Sequence, residues 1–199
     1  WLAEGNVATG GADFSAITAL NGRVCVAMND TYGGLFIFDF ASDSGTRLYT
    51  SQVVFNAGIG LRNSDNTTHS PAIQSVLVNR VSNDAAMTVL EGAEIGALGL
   101  PEITIAVATA GGISWIHPNG DVYDSTAYGA FDKIDTFGRD RWLASQFAGT
   151  EVIRIFKTAY ADGHTEDAGR EYAANGIPAI LDGDSVTAST NYGLAAGTP

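Results

Sequence analysis

The chain has one cysteine among its 199 residues, Cys25, which excludes an intrachain disulfide framework. Cys25 lies in the apolar run 24–27, so we expect it to be a small buried core residue. No apolar stretch approaches the roughly 18 residues that cross a membrane. The sequence does not start with a basic segment followed by an apolar one, so it predicts no signal peptide. Because the first residue is Trp1 and not Met, the sequence predicts a processed product or an excerpt of a longer chain.

Basic residues are also scarce, with 10 Lys and Arg against 22 Asp and Glu and a net charge of −12. A chain of that charge repels phosphate backbones and anionic lipid, so we expect neither nucleic acid nor an anionic membrane surface as a partner. The lack of a long apolar run predicts no membrane insertion. What is abundant is glycine, with 24 residues, between short runs rich in Val, Ile, Phe and Thr. This alternation predicts strands joined by turns.

A pattern of strand, tight turn and strand recurs along the chain. It occupies residues 23–40, 103–120 and 141–156, and it begins again near residue 185. Glycine adopts positive φ without a Cβ clash, so Gly-Gly between apolar runs marks a hairpin. A single strand pair cannot bury its apolar faces, and the repetition therefore predicts units that stack on one another.

The spacing of the turn glycines favours one architecture. Gly34 and Gly112 lie 78 residues apart, and Gly112 and Gly149 lie 37 apart, which suggests a unit of about 40 residues with a degenerate copy near 72–90. A four-stranded propeller blade has a period of about 40–45 residues. We therefore expect one all-β domain over residues 1–199, a β-propeller or propeller fragment of about four to five blades. A β-sandwich or jelly roll is the alternative.

Two of these segments resemble a known family. Residues 13–22 read DFSAITALNG and residues 99–116 read GLPEITIAVATAGGISWI. Both resemble propeller-like repeats in large virion and tail proteins of tailed marine phages, and the resemblance covers residues 12–40 and 99–160. It implies an extracellular or virion location, an adhesion or structural role, and oligomeric assembly with other virion subunits. It carries over no catalytic residue.

The candidate ligand-binding residues are aromatic side chains near predicted turns, namely Trp115, His117, Tyr32 and Tyr128. His117 follows Trp115 by two strand positions, so both should face the same side and form a sugar-stacking pair for a host surface glycan. The alternative is a buried tryptophan with a histidine at the rim. Loops on a rigid β scaffold carry most contacts, which makes residues 57–71 and 159–176 further candidates. Residues 166–174 predict a short helical turn within the second loop.

No catalytic motif is present. The sequence has no Gly-x-Ser-x-Gly elbow, and Cys25 has no activating neighbour. His164 lies in a polar loop without zinc spacing, and the Asp-rich turns 39–45 and 182–185 are weak calcium candidates that do not match an EF-hand. We therefore predict no cofactor and no metal ligand, and a non-enzymatic binding or structural module. The alternatives are a propeller glycosidase or polysaccharide lyase, and a purely structural segment of a larger extracellular assembly.

Overall fold

The computed structural model describes the residues 13–29, 33–49, 52–55, 69–72, 77–126, 128–137, 141–147, 151–158 and 171–173. Strands and turns account for these residues, and none of them is helical. Within this part of the chain there is accordingly no helix of the length and apolarity that a membrane crossing requires. The prediction of an all-β fold is confirmed.

The first sheet is a six-stranded antiparallel meander. Asn21 and Gly22 join its first two strands with φ values of 46° and 80°, the geometry of a two-residue type I′ hairpin. Asn-Gly is the residue pair that this turn type prefers, because both central residues need positive φ. The strands are β1 (Phe14–Leu20), β2 (Arg23–Met28), β3 (Gly34–Asp39), β4 (Ser44–Leu48), β5 (Gln52–Phe55) and β6 (His69–Ala72).

Two four-stranded antiparallel meanders follow. The second sheet contains β7 (Ser82–Thr88), β8 (Thr104–Thr109), β9 (Gly112–Ile116) and β10 (Val122–Ser125). The third contains β11 (Lys133–Phe137), β12 (Arg141–Phe147), β13 (Glu151–Lys157) and β14 (Glu171–Ala173). In both sheets each strand pairs antiparallel with the next one along the chain.

Two loop predictions need correction. Residues 69–71 belong to β6, where His69 pairs with Phe55 at the edge of β5, so the predicted loop 57–71 is wrong at its C-terminal end. Pro71 is tolerated there because β6 is the outermost strand of the described sheet. Likewise residues 171–173 form a strand on β13 in place of the expected helical turn, since ladder pairing overrides a weak helix propensity. Residues 57–68 and 159–170 lie outside the described part.

The second sheet lies between the other two and is covered on both faces. Alternate residues of a strand point to opposite faces, and all six residues of β8 are buried. Ile105 and Val107 pack with Cys25 of the first sheet, whereas Ala106 packs with Trp142 of the third. Two layers of core side chains therefore lie on either side of the second sheet. A third buried cluster, of Val26, Met28 and Phe36, lies on the opposite face of the first sheet. Cys25 is buried as expected, and burial raises the pKa of its thiol far above the usual range.

The first strands of the three sheets lie side by side, with β7 in contact with both β1 and β11. A β-bulge at Ser15 directs its hydroxyl to the backbone oxygen of Ser82, at 2.6 Å. A second bulge at Asn83 directs its amide nitrogen to the backbone oxygen of Phe131, at 2.7 Å. Each seam between neighbouring sheets is thus closed by the same device, a bulged residue that donates to the start of the next sheet.

The first two sheets share a second feature, a glycine at the start of the third strand. Gly34 begins β3 and Gly112 begins β9, with φ values of 105° and 147°. A Cβ at Gly34 would lie 2.2 Å from the backbone oxygen of Leu48, and one at Gly112 would lie 2.0 Å from that of Ser125. The two glycines therefore occupy corresponding positions in consecutive sheets. In the described residues between them, β5 and β6 extend the first sheet, and no separate sheet intervenes.

Candidate functional site

The β1–β2, β3–β4, β7–β8 and β9–β10 connections lie at one end of the molecule. The β7–β8 connection is the longest of these four. We call residues 89–103 the tongue. Its outer part is a small hairpin, in which Ile95 bridges to Pro101 and the Gly96 amide donates to the Leu100 oxygen at 2.8 Å. Gly99 has a φ of 72°, which closes the tip. The tongue separates two clefts.

The larger cleft, the sheet-2 cleft, has a volume of about 570 Å³ and lies between the tongue and the β9–β10 turn. Carboxylates come from the tongue, while the rings and one further carboxylate come from the opposite turn. The side chains that give the cleft its polarity are Glu91, Glu94, Glu102, His117, Asp121 and Tyr123. Its lining is therefore acidic and aromatic at once.

The β9–β10 turn holds its polar groups in a fixed arrangement. The Asn119 side-chain nitrogen donates to Oδ2 of Asp121 at 2.7 Å, and the Asp121 amide donates back to Oδ1 of Asn119 at 3.0 Å. The His117 amide bonds to the Asp121 oxygen at 2.8 Å, and the Tyr123 hydroxyl lies 3.4 Å from Oδ2 of Asp121. This network fixes one carboxylate, one amide and one phenol at the cleft wall before any ligand binds.

Trp115 and His117, which the sequence predicted as a pair, lie in different surroundings in the structure. Trp115 is fully buried in the core between the second and third sheets, with its ring 5.8 Å from that of Phe156. His117 lines the sheet-2 cleft and is 9% exposed, with its ring edge-on to Tyr123 at 5.3 Å. His117 is thus the one of these two at a cleft, and Tyr123 is the aromatic beside it.

Tyr123 did not appear among the candidates from the sequence. It pairs in register with Trp115, so the two side chains share a face of the sheet. Counting strand register across the Asn119-Gly120 turn from Trp115 would have found Tyr123. In the sequence, Tyr123 lies eight residues after Trp115, so their proximity is not apparent from residue order alone.

The other two candidate residues lie elsewhere. Tyr128 packs against Phe156 at 6.2 Å, and the guanidinium of Arg154 stands 3.9 Å over the tyrosine ring, a cation–π contact. Tyr128 is half-buried at the seam of the second and third sheets and does not line either cleft described here. Tyr32 lies outside the described residues.

The smaller cleft, the inter-sheet cleft, has a volume of about 290 Å³ and lies between the tongue and the turns of the first sheet. Arg23 spans it, with Nε 3.0 Å from Oδ2 of Asp39 and Nη2 3.3 Å from Oε2 of Glu102. The Asn21 amide nitrogen donates to the Pro101 oxygen at 2.8 Å. These contacts anchor the tongue to the first sheet.

Asp39 begins the Asp-rich turn 39–45. Burial alone would raise its pKa, but hydrogen bonds from the Ser42 amide, the Arg23 side chain and the Ala41 amide outweigh it and lower the pKa below the usual value. Both carboxylate oxygens are thereby engaged within the protein. No group of three or more metal-ligating side chains occurs within the described residues. His164 and the turn 182–185 lie outside them.

No protein-family model matches the chain, and no curated protein matches it as a relative. The function therefore has to follow from the geometry of the two clefts and the tongue between them.

Proposed function

We propose that the chain is a non-enzymatic binding module of a virion or tail, built as a propeller-like stack of blades, which binds a saccharide of a host glycan in the sheet-2 cleft. The observation that carries this proposal is the preorganised β9–β10 turn, which presents Asn119, Asp121 and Tyr123 to an open cleft next to His117. The extracellular or virion location and the neighbouring assembly subunits rest on the resemblance of residues 12–40 and 99–160 to phage repeats.

Three features favour a propeller over a sandwich. The second and third sheets are four-stranded meanders, and the first strands of all three sheets lie next to one another. A sandwich packs two sheets on one core, whereas the central sheet here is covered on both faces. Blades that pack face to face around an axis have this arrangement. The described part of the chain has three such sheets over residues 14–173, fewer than the four to five blades that the glycine spacing suggested.

The chemistry of the cleft suits a neutral or amino sugar. Carboxylate and amide oxygens accept hydrogen bonds from sugar hydroxyls, and the Asn119 side chain supplies N–H donors. The half-buried ring of Tyr123, with the His117 ring packed edge-on beside it, adds apolar contact with the C–H face of a pyranose. The carboxylates of Glu91 and Glu94 would repel an acidic sugar, so we expect sialylated or sulfated glycans to bind worse than neutral ones.

A second candidate is a glycosidase or polysaccharide lyase, because four carboxylates line the same cleft: Glu91, Glu94, Glu102 and Asp121. Glycoside hydrolysis uses two carboxyl groups on either side of the scissile bond. This candidate predicts release of new reducing or unsaturated ends from a bound polysaccharide, and the first candidate predicts none.

The test is a glycan array probed with the full chain, followed by calorimetric titration of the best saccharide. We expect Asp121→Ala to weaken binding at least tenfold, since it removes an acceptor and releases Asn119. The matched control is Asp135→Ala, which removes an exposed carboxylate from β11, away from the cleft. Binding that survives Asp121→Ala, or that Asp135→Ala weakens equally, would refute the site. Chain cleavage during the incubation would favour the enzyme.

A further inference from the structure

Four large apolar side chains are exposed at the turn end of the molecule. Ile95 is 64% exposed, Leu98 54% and Leu100 43%, all in the tongue, and Phe40 after β3 is 64% exposed. Single exposed apolar residues are ordinary, but a contiguous group of them on a folded domain marks an interaction surface. We call these four residues the tip patch.

The tip patch is continuous across the first and second sheets. The Leu98 Cδ1 atom lies 3.5 Å from the place where a Cβ on Gly22 would stand. The Phe40 amide donates to the oxygen of the same Gly22 at 3.0 Å. Leu98 of the tongue and the backbone of Phe40 thus both lie next to Gly22.

The tongue holds the patch in place. Asn21 bonds to the backbone of Pro101, and Arg23 forms an ion pair with Glu102, so the C-terminal strand of the tip hairpin is anchored to the first sheet. The bridge between Ile95 and Pro101 closes the hairpin itself. An apolar surface that is already ordered loses little conformational entropy when a partner binds it.

The charges around the patch select the partner. Glu91 and Glu94 are exposed on the tongue, and Asp43 lies on the neighbouring β3–β4 turn. Arg23, the cation that lines the adjoining inter-sheet cleft, is paired with Asp39 and Glu102. With a net charge of −12, this surface repels a second copy of the chain, an anionic membrane and a nucleic acid. Electrostatic complementarity favours a cationic partner.

We propose that the tip patch is a docking surface for a protein segment that carries apolar side chains flanked by Lys or Arg. Apolar anchors of the partner cover Leu98, Phe40 and Ile95, and its cations face Glu91 and Glu94. The docking surface shares Glu91 and Glu94 with the sheet-2 cleft, but none of its four apolar side chains lines that cleft. A variant of the tip patch therefore tests the docking surface without changing the lining of the proposed saccharide site.

Fluorescence anisotropy of the full chain with three labelled peptides tests this. The probe alternates Lys and Leu, one control replaces Lys by Glu, and the other replaces Leu by Ser. We expect the Lys-Leu peptide to bind at least fivefold tighter than either control, and its affinity to fall as salt rises. Amide shift changes in a titration should centre on Phe40 and residues 95–100.

The decisive variant is Leu98→Ser, which removes an exposed anchor without touching the core, and it should weaken the Lys-Leu peptide at least fivefold. The matched control is Ile17→Ser, an isoleucine on β1 that is 69% exposed and lies outside the patch; it should change affinity less than twofold. The proposal fails if the Lys-Ser or Glu-Leu peptide binds equally well, or if Ile17→Ser is as damaging. It also fails if the unmodified chain sediments as a dimer that Leu98→Ser disperses, because the patch would then be a self-contact.

Discussion

The first and second sheets are built with the same backbone devices and differ in their turns. Each has a bulge in its first strand, at Ser15 or at Asn83, that bonds to the next sheet. Each begins its third strand with a glycine that lies against the end of the fourth. Yet the β1–β2 turn is two residues long, whereas the equivalent β7–β8 connection is the tongue, residues 89–103.

This difference locates the features that can carry function. Where backbones approach closely, the two sheets agree, because few residues satisfy such contacts. Where the chain turns in solvent, one sheet has a minimal hairpin and the other an insertion that forms a wall of both clefts. Glu102 lines both, so the tongue contributes to each of the two candidate sites.

The largest expected effect tests the glycine equivalence. Gly112→Ala places a Cβ 2.0 Å from the Ser125 oxygen in a left-handed backbone conformation, so β9 and β10 must move apart. We expect a loss of about 3 to 5 kcal/mol in the free energy of unfolding, measured by urea denaturation. Gly34→Ala should cost a similar amount, since its Cβ would lie 2.2 Å from the Leu48 oxygen.

The control for these variants is Gly120→Ala. Gly120 has a φ of 90° but nothing within 4 Å of an added Cβ, so only the backbone penalty of about 1 to 2 kcal/mol applies. If Gly34→Ala proved as mild as Gly120→Ala while Gly112→Ala was severe, the two sheets would not be equivalent at this position.

Sequence patterns predicted the strands that are short apolar runs between turns. The repeats expected over residues 23–40 and 141–156 contain β2 with β3 and β12 with β13, because apolar runs and flanking turns are local signals. The interval from Gly34 to Gly112 was harder to interpret. It suggested two units with a degenerate copy between, whereas the described residues show one sheet extended by β5 and β6. Spacing does not reveal which sheet a strand joins.

The candidate site was only partly visible from the sequence, for a different reason. The two-residue period of a strand placed Trp115 and His117 on one face of β9 and its extension. The part of that face that is buried depends on β12 and β13, which lie far along the chain. The tongue escaped prediction because residues 89–103 lack strand alternation, and its anchors Asn21 and Arg23 come from another sheet. Such contacts are set by tertiary packing and leave no local pattern.

A smaller expected effect tests whether the two bulge hydrogen bonds, one at each boundary between sheets, contribute equally to stability. Asn83→Ala removes the 2.7 Å bond to Phe131, and Ser15→Ala removes the 2.6 Å bond to Ser82. Each should lower the free energy of unfolding by about 1 to 2 kcal/mol, since a backbone oxygen at a part-buried seam loses its donor. Chemical denaturation of both variants measures this.

A matched control lies at the same seam. The Ser82 hydroxyl is buried without a hydrogen-bond partner among the described residues, so Ser82→Ala should be neutral or slightly stabilising. If Ser15→Ala were as harmless as Ser82→Ala while Asn83→Ala was costly, only the seam between the second and third sheets would depend on its bulge.

The smallest effect concerns two aspartates whose pKa values are shifted in opposite directions, Asp39 in the first sheet and Asp84 in the second. Burial raises the pKa of Asp84 on β7 above its usual 3.8, and the Ile134 amide and the charge of Lys133 offset this only in part. The folded chain therefore holds that proton more tightly than the unfolded chain does. The contribution of Asp84 to stability is greatest below pH 3.8 and falls as the pH rises through the raised pKa.

For Asp39, whose pKa is lowered, the sign is reversed: its contribution is complete above the usual 3.8 and is lost as the pH falls through the lower folded value. We expect Asp84→Asn to remove part of the decline in stability above pH 3.8, and Asp39→Asn to remove part of the decline below it. Carboxyl carbon shifts followed by NMR titration should place the midpoint of Asp84 above that of Asp39. Midpoints in the reverse order would mean that the seam around Asp84 admits water and that its carboxylate is not desolvated, which would also weaken the case for a closed contact between β7 and β11.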